Sequence, residues 1–460
     1  MTLELIGIIL YVGLMVVTGT VLARRIKSDE DYFLAGRSLG PWLATFSIFA
    51  TWFGAESCLG TSGKIYRMGL SGMYADPLGY SLCILLLGLV FARTVWQKKI
   101  TTVADLFGER FGERARFCVA LVLIPSSLVW AGAQVRAFGQ ILHSAAEVSV
   151  VVAILLASVV VMVYTMSGGL LADAYTDLVQ GTALIVGLIV IAVAIWLNHD
   201  VSTQLSSLEP WKFDLFANPE KLSPLERAEL WLVPILGSLV SQELVGRVCA
   251  SRSAEVARAS ALRAAAMYLS LGLLPVFVGL LGSAQFQLGD NSDAILPVIA
   301  KQYLNSFFYV IFIGALVSAI LSTVDSTLLA ISALVTHNLI YPYRPRMDEK
   351  HKVRLARGLV LASGVIAMGI ALSSESITEL VELASGLGGP TVLVLVSFGL
   401  FTRWGGESEL LFALFVSVFG WAVLHALAFP APVVGTVLLT ALSFVLSCFV
   451  TRWRVQPGRG

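Results

Sequence analysis

Ser322, Thr323, Asp325 and Ser326 place three hydroxyls and a carboxylate within five residues of SAILSTVDST (318–327), between the apolar runs FFYVIFIGALV and LLAISALV. At 100° per residue, these four and Ala319 share one helix face spanning about 160°. Hydroxyl and carboxylate oxygens suit a small, hard cation, whereas clustered thiolates or imidazoles suit a transition metal. The chain has only five His, none of them beside this stretch. Two other uses of the same groups stay open. Ser and Thr in apolar helices also bond back to the carbonyl four residues earlier, and Asp325 can pair with a buried base, for which Arg136 is the one residue read deep in a span.

The elements that must position this face follow from composition. Of the 460 residues, 57% are hydrophobic and 13% charged, with a mean hydropathy of +0.83. A globular chain carries about 25% charged residues, so the expected class is an all-α, multi-pass membrane protein embedded in lipid. Apolar stretches long enough to cross the bilayer as helices recur thirteen times, over 3–23, 41–60, 70–96, 115–142, 149–167, 173–197, 229–249, 261–284, 304–340, 354–373, 376–401, 408–428 and 431–451. The first lacks a basic start and a small-residue cleavage site and reads as a retained helix. Alternating the spans from an outside N-terminus puts most of the 31 Lys and Arg on one side, which the positive-inside rule assigns to the cytoplasm. The C-terminus is then cytoplasmic and the location a cell (inner) membrane. The basic residues are explained by topology, so no nucleic-acid partner is expected. The five Cys form no CxxC and read as apolar filling. The longest stretch between spans, 198–228, is too short for a nucleotide-binding domain. One transmembrane domain over 1–460 is expected, a monomer suffices for it, and the oligomeric state stays open.

A charge at mid-membrane costs about 2.5–3.5 kcal/mol, so each one in a span is a functional candidate. Those read there are Glu56, Arg136, Asp177, Glu243 and Asp325. FGAESCLGTSG in the second span and LGSLVSQELVGR in the seventh interrupt apolar runs with Gly and polar residues. Broken helices free backbone carbonyls at membrane depth and are tolerated only where they line a cavity. These two begin five-span blocks over 41–197 and 229–401, an arrangement that points to a transporter binding site. The span 3–23 precedes the blocks, and two helices over 408–451 follow them.

DYFLAGRSLGPW, ATWFGAESCLGTSGKIYRMG, YTMSGGLLADAYTDLVQG and SAILSTVDSTLLAISALVTHNL resemble the signature segments of the sodium:solute symporter family, in register from about residue 30 to 340. The resemblance implies a LeuT-type inverted-repeat fold of 5+5 core helices with one helix before and two after. It also implies a common Na+ site on backbone oxygens of Ala50, Phe53 and Ala319 and the hydroxyls of Ser322 and Thr323. A second Na+, held by some members, would fall on Asp177, Ser322, Asp325 and Ser326. Within the family the chain looks most like the choline transporter branch, through Trp52, Tyr80 in PLGYS, and Trp130. An aromatic enclosure suits a quaternary ammonium, at about 0.5–2 kcal/mol per ring. That branch has a Trp before the Gln of the seventh span, where this chain has Ser241 followed by Gln242. Glu56 stands where the branch has Gly, and Glu243 and Arg136 are extra charges.

The expected substrate-binding set is Trp52, Glu56, Ser57, Tyr80, Trp130, Ser241, Gln242 and Glu243. The expected function is sodium-coupled symport of a small polar organic solute, an amine, quaternary ammonium or zwitterion, by alternating access. Walker, GxSxG and HExxH patterns are absent, and no enzyme chemistry is expected. A proton-coupled transporter of the same fold and a transporter-like membrane sensor remain the alternatives. Helix packing is the alternative use of the three aromatic rings.

Overall fold

The computed structural model describes residues 13, 17–54, 56–146, 148–198, 201–286, 292, 295–374 and 376–455. Its helices, in chain order, are α1 Asp29–Leu34, α2 Pro41–Trp52, α3 Glu56–Gln97, α4 Val103–Phe111, α5 Glu113–Ala146, α6 Val150–Met166, α7 Gly168–Leu197 and α8 Val201–Ser206. There follow α9 Pro224–Ser238, α10 Gln242–Ala250, α11 Ala254–Gln285, α12 Ile295–Tyr303, α13 Ser306–Leu334, α14 Glu349–Ser373, α15 Ile377–Leu387, α16 Gly389–Phe401, α17 Glu407–Ala426 and α18 Pro432–Val455.

Local sequence sets the helix starts. Before α9, Ser223 N donates to Glu226 Oε2 at 2.6 Å and Glu226 N to Ser223 Oγ at 3.3 Å, so each side chain satisfies a backbone donor the helix leaves free. Thr102 and Asp105 box α4 in the same way, and Asn305 caps α13 through Phe308 N at 3.0 Å. Pro41 and Pro224 occupy first turns, where a missing N–H costs nothing. At the turn between α6 and α7, Gly169 adopts φ 56°. A Cβ there would lie 2.8 Å from the Tyr32 carbonyl, so glycine serves both the left-handed backbone and the close seat of α1.

Among the described residues nine helices are long and apolar enough to cross a membrane, or ten if the bent pair α9 and α10 counts as one span. Three of the thirteen expected spans do not meet that measure. The span 41–60 is cut after twelve residues by the break at the end of α2, and 149–167 is the shorter apolar helix α6. The span 3–23 lies largely outside the described residues. Burial is inverted relative to a water-soluble protein. Phe412, Phe415 and Phe419 on α17, and Leu438, Leu442 and Leu446 on α18, face outward. Ser47, Thr51, Thr176, Asp177, Gln180, Ser322, Thr323, Asp325 and Ser326 are buried between helices. Such a molecule is solvated by lipid around its waist.

Candidate functional site

The α2 helix ends where it meets α13. Phe53 (φ −79°, ψ 73°) leaves helical geometry, and Gly54 N turns back to Trp52 O at 2.9 Å instead of bonding the Ala50 carbonyl four residues earlier. A break of this kind exposes carbonyl oxygen at membrane depth. Gly54 sits directly against α13: a Cβ at that position would lie 2.9 Å from Thr323 Oγ1 and 3.7 Å from the Ala319 carbonyl. Thr323 Oγ1 donates to Ala319 O at 3.1 Å, and Ala50, Phe53, Ala319 and Thr323 are all buried. The oxygen-rich face of α13 therefore abuts the frayed end of α2. The neighbouring Ser322 hydroxyl donates to Asp177 Oδ1 on α7, a carboxylate whose other oxygen accepts from Ser47 of α2.

Around Asp177 the structure adds a residue that sequence reasoning missed. Arg247 of α10 is 1% exposed, and its Nη2 lies 2.7 Å from Asp173 Oδ2 and 3.5 Å from Asp177 Oδ2. The same nitrogen bonds the Ser326 hydroxyl, and Nε donates to Ser47 O at 3.0 Å. Ser47 Oγ donates to Asp177 Oδ2 at 2.7 Å, and Ser326 Oγ lies 3.2 Å from Asp173 Oδ2. The guanidinium thus sits among oxygens of Asp177 and Ser326, two of the four residues of the expected second sodium set. Asp325 Oδ1 accepts from Ser326 N at 2.8 Å, while Asp325 Oδ2 and Asp173 Oδ1 find no donor among the described residues. The expectation that Arg136 is the basic residue available to this face is corrected. Its Nη1 donates to Ala371 O at 2.9 Å, whereas Arg247 holds the acids. A signal existed in the sequence: Asp173 precedes Asp177 by one helical turn, and Arg247 follows Glu243 by the same interval.

The three expected aromatic residues come together. The Trp52 ring stacks on Tyr80 with centroids 5.7 Å apart and meets Trp130 edge-on at 5.3 Å. Trp52 Nε1 and Trp130 Nε1 are buried with no acceptor among the described residues. Tyr268 of α11, unremarked in the sequence, extends the group at 6.2 Å from Tyr80 and 5.0 Å from Phe53. Its hydroxyl lies 2.6 Å from Ser57 Oγ and 2.8 Å from Asp76 Oδ2, and Ser57 Oγ lies 2.6 Å from the same carboxylate oxygen. Glu56 is half-buried beside the Tyr80 side chain and within the field of Lys64.

The two residues after the second break have other work. Ser241 Oγ caps α10 by accepting from Leu244 N at 3.4 Å. Gln242 Oε1 accepts from Val103 N at 2.8 Å, and Nε2 donates to Thr101 O at 3.1 Å. Both ends of that amide are consumed in fastening the start of α4, which corrects the expectation that Gln242 faces a solute. Glu243 Oε1 accepts from Ser127 Oγ of α5 at 3.0 Å, away from the aromatic group's hydrogen bonds.

Comparison with known proteins bears on the family and the fold. The chain is 28% identical over 400 residues to the high-affinity choline transporter of Drosophila melanogaster, spanning 83% of this chain and 64% of that protein's length. It is 26% identical to the sodium/proline symporter of Escherichia coli, covering 96% of this chain and 93% of the relative. A substrate-bound, outward-open Na+-coupled sialic acid symporter superimposes with a TM-score of 0.84 at 18% identity, over 98% of this chain and 97% of that one. The fold is accordingly an all-α membrane fold of the LeuT type. With the sodium:solute symporter family profile matching residues 32–415, the chain belongs to that family, whose members move a solute with sodium across a membrane.

Proposed function

We propose that the chain is a secondary symporter that carries a small, nitrogen-bearing polar solute inward with Na+ by alternating access between two five-helix repeats, 41–197 and 229–401. The ion is held at the end of α2 against α13 by backbone oxygens of Ala50, Phe53 and Ala319 and the hydroxyls of Ser322 and Thr323. One observation carries the reading, namely the approach of Gly54 to Thr323 Oγ1 and Ala319 O, which leaves room for no side chain between the broken helix and the hydroxyl face. Both choline and proline, named for the relatives, present a cationic nitrogen, and Trp52, Tyr80 and Trp130 offer ring faces to such a group. Ser57 and Glu56 border the same enclosure.

Arg247 among the oxygens of Asp177 and Ser326 supports one sodium per cycle. Its guanidinium supplies there the positive charge that a second ion would bring. The membrane potential then supplies about 2.3 kcal/mol per 100 mV, roughly 50-fold accumulation of a neutral solute. A proton-coupled reading has one observation in its favour, the donorless oxygens Asp173 Oδ1 and Asp325 Oδ2. Uptake of a labelled amine and amino-acid panel into proteoliposomes, with Na+ outside against K+ outside at fixed pH, separates the two. The expected result is Na+-dependent uptake with a Hill slope of one, lost in Thr323→Ala and Ser322→Ala. Uptake driven equally well by a pH gradient in K+ would overturn sodium coupling, and a slope above one would restore the second site.

A further inference from the structure

Asp76 lies in the short polar interval ADP, ahead of the aromatic anchor Tyr80 and on the same helical run α3. Its backbone is extended (φ −137°, ψ 126°) where the run is helical on either side, and its carboxylate is carried inward to 4% exposure. Two hydroxyls converge on Oδ2, Ser57 Oγ at 2.6 Å and Tyr268 Oη at 2.8 Å. These hydroxyls also lie 2.6 Å from each other, and both reach the Trp52 carbonyl, at 3.0 and 3.4 Å. Each hydroxyl has one proton, so two protons are shared among Asp76 Oδ2, the Trp52 carbonyl and the hydroxyl oxygens themselves. Oδ1 receives none, and no Lys, Arg or His forms an ion pair with Asp76 among the described residues. A buried carboxylate in that condition is costly unless a cation completes it or it takes up a proton, and a cationic solute supplies the first remedy.

Glu56 is the other acid of the neighbourhood, and its surroundings differ. Lys64 acts on both acids, but Glu56 is half-buried and its carboxylate has the Tyr80 hydroxyl as a side-chain partner. Around Asp76 the aromatic group closes instead: Ser57 and Tyr268 join it to Trp52, whose ring stacks on Tyr80 and meets Trp130. Trp52 Nε1 and Trp130 Nε1, buried without acceptors, mark the same locus as unfinished.

Resting on the symport reading above, we propose that Asp76 is the counter-charge of the solute: its free Oδ1 receives the cationic nitrogen, and Trp52, Tyr80 and Trp130 face that nitrogen's substituents. The site therefore selects a monocation or a zwitterion over an uncharged molecule of the same shape. Because Ser57 and Tyr268 bond both Asp76 and the Trp52 carbonyl, the last residue before the break, the solute touches the same backbone whose next carbonyls are offered to sodium.

The test uses the purified full chain with labelled choline and proline as probes and 3,3-dimethyl-1-butanol, the uncharged carbon analogue of choline, as competitor. Asp76→Asn keeps the shape and the contacts of Oδ2 but removes the charge. It is expected to raise the apparent KM for the transported probe at least 30-fold and to abolish the preference for choline or proline over the uncharged competitor. Half-saturation by Na+ should stay within twofold. Glu56→Gln, at the border of the enclosure, is expected to raise KM by a smaller factor than Asp76→Asn. In the unmodified chain, dicyclohexylcarbodiimide labelling of Asp76, read by peptide mass spectrometry, is expected to be blocked by the transported probe and not by Na+ alone, a readout that stands if the Asn variant fails to fold. An unchanged KM in Asp76→Asn, the larger loss in Glu56→Gln, or labelling indifferent to the probe would each overturn the proposal. Failure of the symport reading looks different, because the unmodified chain would then show no Na+-dependent uptake of either probe.

Discussion

Replacing Gly54 by alanine adds a single methyl group at the point where α2 breaks. The new Cβ would lie 2.9 Å from Thr323 Oγ1 and 3.9 Å from Thr323 Cβ. The first distance is below any ordinary carbon–oxygen contact, and the hydroxyl is anchored by its bond to Ala319 O at 3.1 Å on a β-branched side chain with little rotamer freedom. Relief requires rotating the hydroxyl out of the ion's reach or spreading α2 from α13. Either change deprives sodium of one oxygen. A hydrogen bond to a charged group is worth about 1.5–3 kcal/mol, and loss of a hydroxyl from a bound cation belongs to the same range, which corresponds to about a 10- to 150-fold weakening. The assay needs no solute: thermal unfolding of the purified chain in graded NaCl at constant ionic strength with KCl, since an ion that binds only the folded state stabilises it by RT ln(1 + c/Kd) at sodium concentration c. Gly54→Ala should raise by that factor the Kd fitted to the rise of the midpoint with Na+. Adding Gly54→Ala to Thr323→Ala should cost nothing further, because the obstructed hydroxyl is already gone. A wild-type sodium response in Gly54→Ala, or fully additive losses in the double variant, would refute the placement of the ion.

Arg247→Met leaves Asp173 without its partner in a dry interior; breaking a buried pair costs about 3–5 kcal/mol, so the variant should unfold far below the parent temperature by the same assay, whereas Asp173→Asn should be milder. Gln242→Ala should lower thermal stability by about 1–3 kcal/mol, through loss of its contacts with Thr101 and Val103, and leave the solute KM unchanged in uptake measurements. Asp29, outside the spans, titrates with a predictable sign. Burial pushes its carboxyl up, but contact with His337 at 2.7 Å, a hydrogen bond from Tyr341 and the charge of Lys352 outweigh this and hold it below the usual carboxylate range. A depressed value in the folded state gives stability present above the unfolded value of about 4 and lost as pH falls through it. Melting temperature measured down to pH 3 should therefore fall less steeply in Asp29→Asn than in the parent.

Much of this molecule is local in origin and could be read without coordinates. Span lengths, the capping box before α9, and the interruptions FGAESCLGTSG and LGSLVSQELVGR are properties of neighbouring residues. The hydroxyl face of α13 is likewise a matter of spacing along one helix. What escaped was pairing across the bundle. Arg247 stands three residues from the end of α10, inside the expected span 229–249, yet it is not among the charges read there. Its partners Asp173 and Ser326 are 74 and 79 residues away in the chain. Asp76 lies inside the expected span 70–96 and is likewise not among the charges read there; only the fold brings its carboxylate against Ser57 and Tyr268. Gln242 was misplaced for the opposite reason: its position after a break suggested a cavity, while its amide closes on a loop 139 residues earlier.

The Arg247 cluster has a consequence for opening. One guanidinium touches α2 through the Ser47 carbonyl, α7 through Asp173 and Asp177, and α13 through Ser326, while standing on α10 itself. It keeps its proton throughout the working pH range, so it is not released by losing its own charge. Separating these helices strips several bonds from a charged group at once, and a partial opening would leave that group in a dry gap with fewer partners. Only an opening wide enough to admit water supplies replacements. At this end of the bundle a narrow separation of the four helices is therefore costlier than one wide enough to hydrate the guanidinium.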